Sequence, residues 1–173
     1  MIIRGKVVRL GDNIDTDVII PARYLITHDP IVLAKHVFED YYPEFREKAK
    51  NDTIIVAGEN FGLGSSREHA VIALKHSNVK AIVAKSFARI FYRNAINLGL
   101  PVLIIREKDR IDEINEGAEA EINLEEGLLR VLDTGRDFSF YKLPDFIIEI
   151  IKEGGLINYF KKKRLKNNAL SLR

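Results

Sequence analysis

The sequence predicts an α/β fold built around a parallel βαβαβ unit. Three runs of strand length carry it: Thr53 to Ala57, Val79 to Ala84 and Leu100 to Ile105, mostly aliphatic and rich in β-branched residues. Helical patterns, Ala70 to Ser77 and Phe87 to Leu98, separate them. Strands joined through helices in this order lie parallel. Ligands of such sheets collect beyond the carboxyl ends of the strands. Gly58 to Arg67 and Lys85-Ser86 both fall there, side by side.

The stretch after the first of these strands, Gly58 to His69, reads GENFGLGSSREH. Ser65 and Glu68 stand in the S-x-x-E spacing of a capping box, so the spacing predicts a helix that starts at the serines. Backbone N–H groups are free at such a start, and a glycine-rich loop leading into it suits an anion. Arg67 sits in the predicted first turn, where the helix dipole disfavours a cation. A tight turn with a solvent-facing arginine and an arginine waiting for an anionic partner both fit this pattern.

The remaining elements follow in order. Ile2 to Leu10 alternates as a first strand, closed by Gly11-Asp12-Asn13. Val18-Ile19-Ile20 reads as a short buried strand stopped by Pro21. Asp15 and Asp17 flank Thr16, which suits a cation or a turn in which they bond backbone N–H groups. Ala22 to Pro30 is irregular, with the unpartnered apolar pair Leu25-Ile26, as in a lid or specificity loop or a loop tucked under the core. Asp29 and Pro30 are the N-cap and first residue of a helix through Phe38. A short helix begins at Pro43.

After the parallel unit, Lys85-Ser86 is predicted to cap the helix that Gly99 ends at C′. Residues 106 to 117 are charged and predict a surface helix or loop. Ala118 to Leu124, Leu128 to Leu132 and Phe138 to Tyr141 read as short antiparallel strands with Gly- or Asp-containing turns. Pro144 opens a helix ended by Gly154-Gly155. Leu156 to Leu165 is a last basic helix, and residues 166–173 are expected to fray. The run Lys161 to Arg164 has no interleaved aromatics, so it reads as a solvated helix end rather than a nucleic-acid patch.

Composition narrows the chemistry. The chain has 173 residues, 46% of them hydrophobic and 30% charged, which suits one globular domain. A net charge of +2 selects no partner class. There is no cysteine, hence no disulfide, no thiolate nucleophile and no cysteine-held zinc or iron–sulfur cluster in this chain. His28, His36, His69 and His76 show no metal-ligand spacing. The opening MIIRGKVVRLGD is too charged for a signal peptide, and no run approaches the roughly 20 apolar residues of a membrane span. A cytoplasmic location is the default expectation.

The motifs exclude several activities. G-L-G-S-S is not the G-x-S-x-G elbow, and no carboxylate stands ready to orient a Ser65–His69 pair. No G-K-[ST] follows, and G-E-N-F-G-L-G is not G-x-G-x-x-G, so nucleotide binding is weakly supported. A small carboxylate held by Arg67, serine hydroxyls and backbone N–H groups remains, since arginine offers a two-toothed fork. A serine base there needs a strong neighbouring cation to lower its pKa. The sequence alone therefore describes an incomplete active site.

GENFGLGSSREHA, followed by AIVAKSFARIFYRNAINLGLPVL, resembles the swivelling C-terminal domain of the aconitase superfamily. DNIDTDVIIPARYL near the start resembles the opening of the same family's small subunits. The likeness spans about residues 1 to 165, and in length it is closest to free-standing small subunits of isopropylmalate isomerase and homoaconitase. It implies one three-layer β/β/α swivelling domain. It implies a large partner subunit that carries a [4Fe-4S] cluster, with no cofactor or metal held by this chain. By the same likeness Ser65 is the catalytic base, while Ser66 and Arg67 bind the carboxylates of a small dicarboxylate substrate. The implied reaction is dehydration of 2-isopropylmalate and rehydration to 3-isopropylmalate, in leucine biosynthesis.

Relatives diverge at Tyr24-Leu25-Ile26-Thr27. Homoaconitase types carry arginine where Ile26 stands, which suits an extra carboxylate, whereas isoleucine would leave that carboxylate unpaired. Ile26 thus favours isopropylmalate. Thr27 matches the homoaconitase ending, and a citramalate-type substrate is a further alternative. Leu63 replaces a cysteine of many relatives that is not a cluster ligand. A stand-alone carboxylate-binding module, and self-association of the isolated chain, stay open at this stage.

Overall fold

The computed structural model of the chain describes residues 1–170. Seven strands form one mixed sheet: β1 (Ile2–Arg9), β2 (Thr53–Ala57), β3 (Val79–Ala84), β4 (Val102–Ile104), β5 (Glu119–Asn123), β6 (Leu128–Val131) and β7 (Arg136–Ser139), in the order β4-β3-β2-β1-β5-β6-β7. The four strands β4 to β1 run parallel, with Val7 beside Ile54, Ile55 beside Ile82 and Val83 beside Leu103. β1 joins β5 antiparallel, and β5, β6 and β7 form an antiparallel meander. The predicted parallel unit and strand trio are both present.

The two edges of this sheet meet. Tyr141 N–H donates to Ile104 O at 3.0 Å, and Arg106 N–H donates to Ser139 O at 2.9 Å. An antiparallel bridge pairs Ile105 with Phe140. The antiparallel half is therefore folded round towards the parallel half. Burial agrees: every residue of β2 is buried, as a strand covered on both faces must be. In the meander only alternate residues are buried, among them Ala120, Ile122, Leu129, Val131 and Phe138. One face of β2 meets helices and the other meets the folded-over strands, which accounts for the β/β/α layering.

The helices are α1 (Thr16–Ile19), α2 (Pro30–Lys35), α3 (Phe45–Lys48), α4 (His69–His76), α5 (Arg89–Asn97), α6 (Asp145–Lys152) and α7 (Leu156–Leu170). Two departures from the sequence reading lie near the amino terminus. Val18-Ile19 belongs to a helical turn and not to a strand. Asp15 caps it, its Oδ1 accepting from Asp17 N–H at 2.8 Å, and Ile20 N–H bonds Thr16 O at 3.0 Å. Local hydrogen bonding overrides β-branching there, and of the two aspartates Asp15 holds the turn through its side chain. Asp29 does cap α2, but the helix stops at Lys35 instead of Phe38. Phe38 adopts φ +55 and is fully buried, its N–H bonding Ile19 O at 2.8 Å and its ring 4.8 Å from Phe45. Burying that ring outweighs another turn of helix.

Residues 106–117 contain a 3-10 turn, Lys108–Glu113. Gly99 ends α5 with φ +75, its N–H bonding Ile96 O while Leu100 N–H bonds Ala95 O, the Schellman pattern. α7 runs to Leu170, and 171–173 of the expected frayed tail lie outside the described residues. No helix among the described residues is long and apolar enough to cross a membrane.

Lys75 of α4 ties the helical layer together. Its Nζ donates to Leu98 O at 2.5 Å and Gly154 O at 3.0 Å, the carboxyl ends of α5 and α6. Burial pushes its pKa below that of an ordinary lysine. A cation there satisfies orphan carbonyls at the negative ends of two helices. Lys75→Met should lower stability by about 2 kcal/mol in urea unfolding. An unchanged midpoint would show that these two bonds contribute nothing net.

Candidate active site

The loop from Gly58 to Ser65 is held on both sides beyond the carboxyl ends of the parallel strands. On one side Asn13 N–H bonds Glu59 O at 2.8 Å, Gly62 N–H bonds Ile14 O at 2.7 Å, and Thr16 N–H bonds Leu63 O at 2.7 Å. On the other, Phe61 N–H bonds Ser86 O at 3.0 Å and Ala88 N–H bonds Phe61 O at 2.9 Å. Phe61 is fully buried, with its ring 5.3 Å from that of Phe91. Gly62 has φ +86, and a Cβ there would lie 2.2 Å from Phe91 Cγ, so only glycine fits.

This clamp changes how α4 begins. The capping box predicts a helix from the serines, but α4 starts at His69 with Glu68 at its N-cap and no side-chain cap bond. Ser65 N–H donates to Thr16 Oγ1 at 3.0 Å, so Thr16 takes the part expected of Glu68. Asn94 Nδ2 donates to Ser66 O at 3.0 Å, diverting a carbonyl that helix would use. Ser65 Oγ accepts only from Arg67 N–H, at 3.2 Å. The serines thus lie in a turn ahead of the helix. Lys85-Ser86 does not cap α5 either: α5 has Ala88 at its N-cap, and Ser86 Oγ bonds Asn60 N–H at 2.8 Å and the Glu59 carboxylate.

Ser65 is half-buried, and Ser66 and Arg67 are exposed. Ser65 and Arg67 line one small cavity with Thr16, Leu25 and His69. Its volume is about 10 Å³, room for about one water. The Arg67 guanidinium makes no hydrogen bond or ion pair among the described residues, in contrast with Arg23, which grips Asp40 with two bonds of 2.7 and 2.8 Å. Ser66 presents its side chain outward while Asn94 holds its carbonyl. Ile26 is on the adjoining loop and is 93% exposed. Only its neighbour Leu25 reaches the cavity. The structure thus brings Ser65 and Arg67 together, with Ser66 on the same turn and Ile26 at the rim.

Two residues around the site escaped the sequence reading, and a third, His69, enters it only as a partner for Ser65. Thr16 was visible only as part of a turn. Asn94 carried no signal beyond a polar residue within a helical pattern, yet it is buried. His69 is 6% exposed, and neither ring nitrogen has a hydrogen-bond partner among the described residues. Burial, then the nearby charges of His28 and Arg67, lower its pKa, so the ring is neutral at pH 7. Among the described residues no group of three or more His, Asp and Glu side chains gathers as a metal site. A larger open groove of about 450 Å³, lined by Lys35, Arg46 and His76, contains none of the site residues.

Comparison with known proteins agrees with this geometry. The aconitase C-terminal domain family matches residues 34–108, a span that holds the whole serine–arginine turn and Asn94. The 3-isopropylmalate dehydratase small subunit of Nautilia profundicola is 58% identical over 167 residues, covering 96% of this chain and 98% of its own. That of Aquifex aeolicus is 55% identical, covering 92% and 95%. A crystal structure of 3-isopropylmalate dehydratase from Methanocaldococcus jannaschii superposes with a TM-score of 0.90 at 46% identity, covering 98% of this chain and 99% of that one. Fold and site together define a protein of the aconitase C-terminal-domain class. Within that class, the chain belongs to the family of 3-isopropylmalate dehydratase small subunits.

Proposed function

We propose that this chain supplies the base and the carboxylate clamp of a 3-isopropylmalate dehydratase, interconverting 2-isopropylmalate and 3-isopropylmalate in leucine biosynthesis. One observation carries the reading: Ser65 and an unpaired Arg67 border a cavity that holds about one water and opens to solvent. A seven-carbon dicarboxylate cannot be enclosed there, so a second surface must complete the site. The large subunit is that surface, and the cysteine-free chain leaves a [4Fe-4S] cluster to it. Bound there, the cluster supplies the Lewis-acid pull on the substrate hydroxyl.

This chain's residues do the rest. Arg67 grips a substrate carboxylate through two parallel N–H bonds, and the Ser66 hydroxyl adds a third donor. Ser65 Oγ, as the alkoxide, takes the proton from the carbon next to a carboxylate. That C–H electron pair becomes the double bond as hydroxide departs from the neighbouring carbon. Rehydration reverses the sequence, with hydroxide added to the carbon that lost the proton and Ser65 returning its proton to the other. The Arg67 N–H on Ser65 Oγ and the guanidinium charge both favour the alkoxide.

The exposed Ile26 supports an apolar substrate group over a third carboxylate. The test is reconstitution with an iron–sulfur large subunit under anaerobic conditions, assayed on isopropylmaleate, citraconate and cis-homoaconitate. Isopropylmaleate hydration is expected to be fastest. Ile26→Arg should lower its kcat/KM about 100-fold and raise that for cis-homoaconitate. Wild-type preference for cis-homoaconitate would sink the Ile26 reading and leave the mechanism standing. No complex and no hydration would leave only a carboxylate-binding module.

A further inference from the structure

The loop that carries Ile26 is fastened at both ends and rests on one ring in between. At its start, Arg23 grips Asp40, the Tyr24 hydroxyl donates to Glu39 at 2.9 Å, and the Tyr24 ring stacks on His36 at 3.9 Å. At its end, Asp29 caps α2, with Ile31 N–H on Asp29 Oδ1 at 2.9 Å, and Asp29 N–H donates to Thr27 Oγ1 at 3.1 Å. Between these anchors Ile26 meets only solvent. The contact from this tip to the catalytic turn is aromatic: His28 lies on His69, ring centroids 4.4 Å apart and tilted by 46°. Leu25 shares the small cavity with His69, Ser65 and Arg67.

His69 is unusual in its own right. It opens α4, four residues after Ser65, with both ring nitrogens buried and unpartnered among the described residues. No bond of good geometry reaches either nitrogen among the described residues, although the Thr27 backbone of the loop lies beside the ring. The loop meets it through the His28 ring, 4.4 Å away between centroids. The groups around it are His28 and the Thr27 backbone from the loop, Thr16 and Asp17 from α1, and Ser65, Arg67 and Glu68 from its own segment.

We propose that the tilted His28–His69 ring contact sets the height of the Leu25–Thr27 tip over Ser65, making His69 and His28 positioning residues for the part of the substrate that the tip meets. The proposal rests on the dehydratase reading above. Neither ring touches the reacting atoms; they act by holding the loop. The pair therefore bears on how well the substrate side chain is received, and much less on proton transfer at Ser65.

The test compares His28→Ala, which removes the ring, with His28→Phe, which keeps an aromatic face without the nitrogens. In the reconstituted complex, His28→Ala should raise KM for 2-isopropylmalate about fivefold with kcat within about twofold, and His28→Phe should restore the wild-type KM. In the isolated full-length chain, backbone amides of residues 25–28 should exchange with deuterium faster in His28→Ala than in wild type, and at the wild-type rate in His28→Phe. Wild-type KM and wild-type exchange in His28→Ala would overturn the proposal, as would failure of His28→Phe to rescue either. The exchange readout needs no activity, so an inactive complex would count against the dehydratase reading and leave the ring pair still tested. A His69→Phe variant, read by exchange alone, checks the same face from the other side, with residues 25–28 expected to exchange at the wild-type rate. Loss of the tip's protection in that variant would also overturn the proposal.

Discussion

Ser65→Ala in the reconstituted complex is expected to lose about a thousandfold or more in kcat while the chain folds and assembles as before. The structure separates the two effects. The Ser65 backbone N–H, which holds the turn to Thr16 Oγ1 at 3.0 Å, survives the substitution. What is lost is an oxygen that accepts a single backbone N–H at 3.2 Å. A bond of that length on a half-buried turn contributes about 1 kcal/mol or less to stability. The same oxygen is the only group that the mechanism provides to take the proton. Circular dichroism melts, co-purification with the large subunit and steady-state rates together read the three quantities. More than a tenth of wild-type kcat in an intact complex would remove Ser65 as the base.

Arg67→Lys should cost about 100-fold in kcat/KM, chiefly through KM, with little change in thermal stability. Lysine keeps the charge but presents a point, not a planar fork, so one of two parallel bonds to a carboxylate is lost and the remaining one is less directed. The Arg67 guanidinium has no partner among the described residues, and its backbone N–H bond to Ser65 Oγ survives the substitution. Arg67→Gln should fall further, because it also withdraws the charge that favours the Ser65 alkoxide. The comparison of the two separates geometry from charge. Full activity in Arg67→Lys would mean that the arginine is a solvated turn residue and that the carboxylate is bound elsewhere.

How much of this was legible beforehand varies by element. β2 and β3 were plain, because residues buried on both faces of a parallel strand give a nearly continuous aliphatic run, broken in β3 only by exposed Lys80. The meander was equally plain, since alternate burial gives alternate polarity. The Schellman end of α5 was written in Gly99, and the start of α2 in Asp29-Pro30. Ser65 and Arg67 stood out because the S-x-x-E spacing marked a helix start, where the dipole disfavours an arginine. Val18-Ile19, by contrast, has strand composition and is helical, because Asp15 supplies a cap from outside the run. The S-x-x-E spacing pointed to a helix start three residues too early, because Thr16 and Asn94 occupy groups that the helix would otherwise use.

Local sequence was enough for the α/β class, the parallel unit, the family likeness and the turn proposed to carry the chemistry. Each of these depends on local pattern: a period, a cap, a glycine or a contiguous motif. The tertiary structure decided where that turn stops being a loop, that the sheet rolls until Ile105 meets Phe140, and that Leu25, more than Ile26, faces Ser65. It also decided that His69 is a buried ring under a loop, a role that no spacing announces. The physical reason is common to all of them. They depend on which distant group reaches a given N–H, carbonyl or ring face first, and that competition is settled only when residues far apart in the chain are packed side by side.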